Sequence, residues 1–350
     1  ALPVDPVIWA LVTHLFLRTA YTIVAVPFTS LQARLTHDAQ ERAVVAGFRM
    51  VGAASGGLMV VLLTPFFVSW YGEGREAHAY FVAACIASGI ALATLWYSFF
   101  CMREPASDYG DPLEPIWSDL KGIGSVFLRN PPLMRVFGIV ISGSLCLGMF
   151  GKNVVYHFKY DIQRPDLTMI GLLIPAILLI LTVPIWVALA KRTSKRTALA
   201  IGAMIGLAGY LWFFFNSAGH LTYTFAAMGL AGIGSSAFAV MFWSMLPDTV
   251  EYGQAVTGVR AESKTFGFAT FAQKAAVGIN ALLLGALLEW VGYIPNEPQS
   301  AETLLGMKAI MALVPAAGVI VILILLSGYK LDHAQHAQLL KDIESHPSKG

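Results

Sequence analysis

The chain alternates long apolar runs with short polar breaks. Nine runs have the roughly 20 residues that a helix needs to cross a hydrocarbon core. They fall near 6–33, 43–70, 78–101, 134–157, 168–190, 197–216, 221–246, 264–290 and 304–328. Each stops where Gly, Pro or charge collects, as at Tyr71-Gly-Glu-Gly-Arg75 and Lys191-Arg-Thr-Ser-Lys-Arg196. The runs lack period-two alternation, so helices are predicted rather than barrel strands. One break is much longer than the rest. Residues 102–132 divide three runs from six. Their first half reads as a solvated Pro- and Asp-rich linker, and 117–128 as a short amphipathic helix lying along a membrane surface.

Composition narrows the class. Hydrophobic residues make up 57% of the 350 positions and charged residues 13%, with a mean hydropathy of +0.66. A soluble domain carries about 25% charged residues. The chain is therefore expected to be an all-α polytopic membrane protein, neither a water-soluble enzyme nor a disordered chain. A net charge of +2 gives no basis for a nucleic-acid partner. Cys85, Cys101 and Cys146 lie in or beside apolar runs at no ligand spacing, so neither a disulfide nor a zinc framework is expected. Catalytic triads, P-loops and paired catalytic carboxylates are absent, and the expectation is a non-enzyme without cofactor. Gly232-Ile-Gly-Ser-Ser-Ala237 formally fits a dinucleotide fingerprint, but it sits inside an apolar helix with no preceding strand. Together with Gly52-xxx-Gly56 and Gly202-xxx-Gly206, it reads as a seam for close helix packing.

Orientation follows from the basic residues of the short loops. One set of loops, with the tail, holds Arg34, Arg42, Arg103, Lys121, Arg129, Arg135, the 191–196 turn, Arg260, Lys264, Lys330, Lys341 and Lys349. The opposite set holds only Arg75, Lys159 and Arg164. The C-terminus is thus expected in the cytoplasm, in a bacterial-type inner (plasma) membrane. Nine spans then put the N-terminus outside, which suggests that a longer chain precedes it.

An ionisable side chain within a span costs at least about 2.5–3.5 kcal/mol and needs a reason. Arg18, Arg49, Lys152, Lys274 and Lys308 are such residues, and no carboxylate lies at comparable depth. Lys308, near the outer boundary, is expected to snorkel. Lys274 lies near mid-span on a small-and-polar stripe formed with Ser263, Gly267, Thr270 and Gly278. A packing seam and a cavity wall with a cationic ligand contact both fit that stripe, and the buried charge favours the wall. His14, Arg18, Thr22, Ala25 and Thr29 share a similar face in the first run, flanked by Tyr21 and loosened by Pro27. Lys152 and Tyr156, in the outer part of the fourth span, suit either an outer gate or interfacial anchoring.

Two segments carry a resemblance. The first is Tyr21-Thr-Ile-Val-Ala-Val-Pro-Phe-Thr-Ser-Leu31 with Phe48-Arg-Met50. The second is Asp248-Thr-Val-Glu-Tyr-Gly253, Gly258-Val-Arg-Ala-Glu-Ser263, Lys274 and Gly292-Tyr-Ile-Pro-Asn296. Together they resemble the glycoside–pentoside–hexuronide:cation symporters, the melibiose-permease branch of the major facilitator superfamily. The resemblance covers essentially the whole chain. It implies a major facilitator fold with nine of an expected twelve transmembrane helices, helices four to twelve. The implied division is 1–101 for the remainder of an N-terminal bundle, 102–132 for the linker, 133–329 for a six-helix bundle and 330–350 for a cytoplasmic tail. It implies cation-coupled symport of a sugar-like solute, with H⁺ or Na⁺ as the coupling ion, by a monomer in the bilayer.

Carried over residue by residue, Thr22 is a cation contact, Arg49 a sugar contact, and Lys274 a site residue with Thr270 one turn away. Tyr21, Arg18 and Thr29 join the substrate-facing set. Where the melibiose branch has a shared aspartate, this chain has Ala25; where it has stacking tryptophans, this chain has Thr29 and Ala239. Loss of an acid beside an added Arg18 makes the wall positive, which points either to an acidic solute or to counter-charges on the three helices that the resemblance places before this chain. Arg42, Arg260 and Glu262, with Lys152 and Tyr156 at the outer side, are the expected gating residues. A lipid-like anion as cargo, or a non-transporting sensor or remnant, are the alternative readings.

Overall fold

A computed structural model describes residues 6–35, 39–71, 76–101, 129–216, 220–258, 261–329 and 331. Nine α-helices cover almost all of them: α1 (Pro6–Leu35), α2 (Ala39–Tyr71), α3 (Glu76–Cys101), α4 (Pro131–Tyr156), α5 (Thr168–Arg192), α6 (Lys195–Phe215), α7 (Leu221–Thr257), α8 (Glu262–Trp290) and α9 (Ala301–Ser327). Eight are long and apolar enough to cross a membrane. In α1 the apolar stretch among the described residues is Leu11–Ala25. The expected linker helix and tail fall outside the described residues, as do Arg260 and the side chains of Thr29 and Ser263.

Helix ends follow local chemistry. Asn130 caps α4, its Oδ1 accepting from the Leu133 amide at 3.0 Å, while Pro131 and Pro132 occupy positions that need no amide donor. The Asn130 Nδ2 also donates to the Thr249 carbonyl at 2.7 Å, tying the start of α4 to α7. Ser194 and Ser300 cap α6 and α9 in the same way. Gly258, at φ 74°, ends α7 in a left-handed conformation that a side chain would strain.

Two of these ends correct the sequence reading. The seventh run was expected to stop at 246, yet α7 continues through Pro247 to Thr257. Asp248 and Glu251 do not end the helix because they are buried and paired. The fourth run continues past 157 as a π turn, His157–Asp161, so Lys159 belongs to the helix end rather than to a loop.

Helices α4 to α9 share two apolar cores. One gathers Leu133, Ile139, Trp186, Leu199, Phe242 and Phe266, and α2 enters it through Ala46. The other gathers Phe150, Phe158, Phe213, Met228 and Met311. Small residues let backbones meet: a methyl group on Gly234 would stand 2.5 Å from the Gly206 Cα, and one on Gly202 would stand 2.2 Å from the Ala237 Cβ. That part of the seam reading holds. Gly52 and Gly56 do not form the expected seam among the described residues, since neither has a neighbour within 4 Å. Gly47 serves α2 instead, admitting Val183 and Val187 of α5. Helix α3 packs on α2, and α1 packs mainly on α8. Cys85 and Cys101 are exposed and Cys146 is buried, all three as free thiols.

Candidate functional site

The middle of the molecule collects the residues singled out for their depth. Lys274 is twelve residues into α8, or about 18 Å along its axis. Its Nζ donates to the Thr22 hydroxyl of α1 and lies 5.0 Å from the centre of the Tyr21 ring. Thr22 passes its own proton back to the Arg18 carbonyl at 2.7 Å. Its oxygen therefore faces the ammonium as an acceptor. Tyr21 also lies close enough to Arg49 of α2 for a charge interaction. Arg49 places its guanidinium 3.7 Å from the centre of the Trp243 ring of α7, a cation–π stack. Tyr21, Thr22, Arg49 and Lys274 thus share one neighbourhood drawn from three helices, with a fourth supplying the platform.

The remaining predicted residues divide around it. Thr270 is buried one turn before Lys274, its hydroxyl bonded to the Phe266 carbonyl at 2.9 Å. Arg18 sits one turn before Thr22 on the exposed side of α1, with its Nε 3.3 Å from the His14 ring nitrogen. Helices α1, α5 and α6 contain no carboxylate between their ends, and α2 and α8 carry theirs only in the first or last turn. The described wall is therefore cationic at mid-depth. Trp243 was not foreseen, because an apolar helix offers no signal to separate a stacking tryptophan from core.

A second charged group lies toward one end of the helices. Arg42 is completely buried. Its guanidinium bonds Asp248 Oδ1 at 3.2 Å and also bonds Glu251. Lys195 of α6 donates to the other Asp248 oxygen at 2.6 Å and to the Ser244 carbonyl at 2.9 Å. Pro247 loosens α7 at this point by removing one amide donor from the ladder. Arg42, expected as a gating residue, thus joins α2 to α7 through Asp248 and Glu251. Glu262 is buried in the first turn of α8. Arg42 and Lys195, read from sequence as loop charges, are instead part of the packed interior. The available signal was two carboxylates three residues apart after Pro247, which place both on one helix face.

The opposite end is aromatic. Tyr156 meets Tyr293 edge-on at 5.4 Å, and Tyr160 and Tyr293 share a hydrogen bond of 2.9 Å between hydroxyls. Lys159 donates to Asn296 Oδ1 at 2.8 Å, and the Asn296 amide donates to the Tyr160 hydroxyl at 3.0 Å. Lys152 is half-buried one turn before Tyr156. Lys308 does not simply snorkel to solvent; its ammonium donates to the Asn216 carbonyl of the α6 end.

Comparison with known proteins places this arrangement. The profile of the family described as MFS/sugar transport protein matches residues 2–333. An isoprimeverose transporter of Lactiplantibacillus pentosus is 30% identical over 346 residues, covering 97% of this chain and 70% of that protein. A glucuronide carrier protein homolog of Escherichia coli is 24% identical over 345 residues, covering 97% of this chain and 73% of that one. A putative sulfoquinovose importer of Salmonella typhimurium is 29% identical over 358 residues, covering 99% and 73%. Among solved structures, the E. coli fucose:proton symporter superposes with a TM-score of 0.54 at 13% identity, over 87% of this chain and 73% of that one. That likeness supports the fold alone. Nine apolar helices with a polar, cationic centre, matched along nearly the whole sequence, make this chain a member of the MFS/sugar transport family of the major facilitator superfamily.

Proposed function

We propose that the solute of this cation-coupled sugar symporter is an acidic sugar, of the hexuronide or sulfonated-sugar class. The observation that carries the reading is the charge at mid-depth. Lys274 and Arg49 both lie beside Tyr21, and the groups shown against the Lys274 ammonium are a hydroxyl and an aromatic face rather than a carboxylate. An ammonium held at this depth by neutral groups, as Lys274 is, is costly in a low-dielectric setting, and a bound anion offsets that cost. Relatives named for a glucuronide and for sulfoquinovose carry solutes with an acidic group. The relative named for isoprimeverose carries a neutral disaccharide. The positive wall supports the former.

In this reading Lys274 and Arg49 orient the acidic group, Tyr21 lies against the sugar ring, and Thr22, Thr270, Arg18 and Thr29 complete the polar face. Thr22 is also the contact for the coupling ion, H⁺ or Na⁺. Residues 1–101 and 133–329 are the two rocking units, with 102–132 as their cytoplasmic linker and 330–350 as the cytoplasmic tail. Arg42 with Asp248 and Glu251 latches α2 to α7 on the cytoplasmic side and stabilises the outward-open state, aided by Arg260 and Glu262. Lys152 and Tyr156 belong to the outer gate. The transporter works as a monomer in the inner membrane.

The test is uptake by cells and proteoliposomes carrying the protein, with imposed H⁺ or Na⁺ gradients. Labelled phenyl glucuronide should accumulate above its external concentration, and the neutral phenyl glucoside should not compete. Equal accumulation of the two would overturn the acidic-solute reading.

A further inference from the structure

Away from that centre, at the Lys308 end of the helices, the last turns of α4 border a small cavity of about 10 Å³. It is lined by Asn153, Tyr156, His157, Asp161, Met307 and Lys308, among others. Here α4 widens into its π turn, a rare geometry that concentrates at functional positions. Asn153 is 1% exposed and spends its Nδ2 on the Met149 carbonyl at 2.7 Å. Its Oδ1 has no protein partner among the described residues. The His157 Nδ1 lies 3.0 Å from Asp161 Oδ2, so this nitrogen carries a proton. In the neutral ring Nε2 is then an acceptor, and it too has no protein partner.

The two residues that carry these buried acceptors line one cavity whose volume suits a single water molecule. Lys308 stands in the same wall with three donors, one of them directed to the Asn216 carbonyl. A water molecule completes the set: it donates to Asn153 Oδ1 and His157 Nε2 and accepts from the Lys308 ammonium. A metal cation does not suit the place, because the ammonium already supplies the positive charge and would repel it. An apolar occupant would leave both acceptors unsatisfied. We infer that this cavity is a binding site for one ordered water, which joins α4 and its π turn to α9 as a structural element of the bundle.

The lining supplies its own reporters. Met307 and Met311 border the cavity and are 6% and 1% exposed, so radicals formed in bulk solvent reach them poorly. X-ray radiolysis of the purified full-length protein in H2¹⁸O generates hydroxyl radical from bound water within the cavity. Mass spectrometry should find ¹⁸O on Met307 and Met311, taken up more slowly after mixing than at Met169, an exposed control at the start of α5. The Asn153→Leu and His157→Phe variants remove an acceptor and fill the space, and each should lose that labelling while Met169 stays labelled. Absence of label at both methionines in the parent protein, or equal label in a folded variant, would overturn the inference. The parent measurement decides even if a variant fails to fold.

Discussion

The two groups of membrane-embedded charge follow opposite rules. Arg42 and Lys195 are enclosed and face two carboxylates, Asp248 and Glu251. Lys274 faces a threonine hydroxyl and an aromatic ring, and Arg49 stacks on Trp243. A paired set is complete within the protein, and its geometry carries a cost only when the helices holding it separate. An ammonium met by neutral groups, as Lys274 is, leaves a charge that a ligand can complete. The first arrangement suits a latch and the second a binding site.

The largest effect should come from breaking the paired set. Arg42→Met leaves Glu251 buried without its cation, and losing one partner of a buried pair costs about 3–5 kcal/mol. A thermal melt of the detergent-purified protein should drop by many degrees, and Arg42→Lys should recover only part of the loss. A melt unchanged by Arg42→Met would remove the distinction between the two regions.

Lys274→Ala should do the reverse. It orphans no carboxylate, so the melt should hold. Uptake of the acidic solute should fall by about 10- to 100-fold, the scale of one or two lost bonds to a charged donor. Arg49→Lys keeps the charge but discards the plane that stacks on Trp243. With about 0.5–2 kcal/mol in such a contact, KM should rise by a few-fold to thirty-fold, with less change in the maximal rate. Thr22→Val removes the hydroxyl proposed to contact the coupling ion; at about 1 kcal/mol for one such neutral group, the half-saturating concentration of that ion should rise roughly fivefold. The exposed Arg164–Asp166 pair, bonded at 2.7 Å, is the control: Asp166→Asn should leave both melt and uptake unchanged.

Much of this contrast was legible before any coordinates. Nine apolar runs gave nine helices because span length is set by the bilayer, a constraint that acts on each run separately. Lys274, Arg49, Tyr21 and Thr22 stood out for the cost of burying charge or from the family resemblance, and the fold brings them together. What stayed hidden was pairing across distant positions. Asp248 and Glu251 read as the polar end of a span, since a carboxylate ends an apolar run unless a cation from another helix meets it. That cation, Arg42, is more than 200 residues away in sequence. The burial of Lys195, the stack on Trp243 and the π turn at His157 share this character, each depending on a neighbour that no local pattern specifies.

The central claim is that the mid-depth cations select an acidic sugar. Its most direct measurement is the ratio of phenyl glucuronide to phenyl glucoside uptake, taken side by side in the parent protein and in Lys274→Ala at equal surface expression. The parent should favour the glucuronide strongly, and the variant should lose that preference by losing glucuronide uptake. A parent that takes up both solutes equally, or a variant that keeps the full preference, would contradict the account.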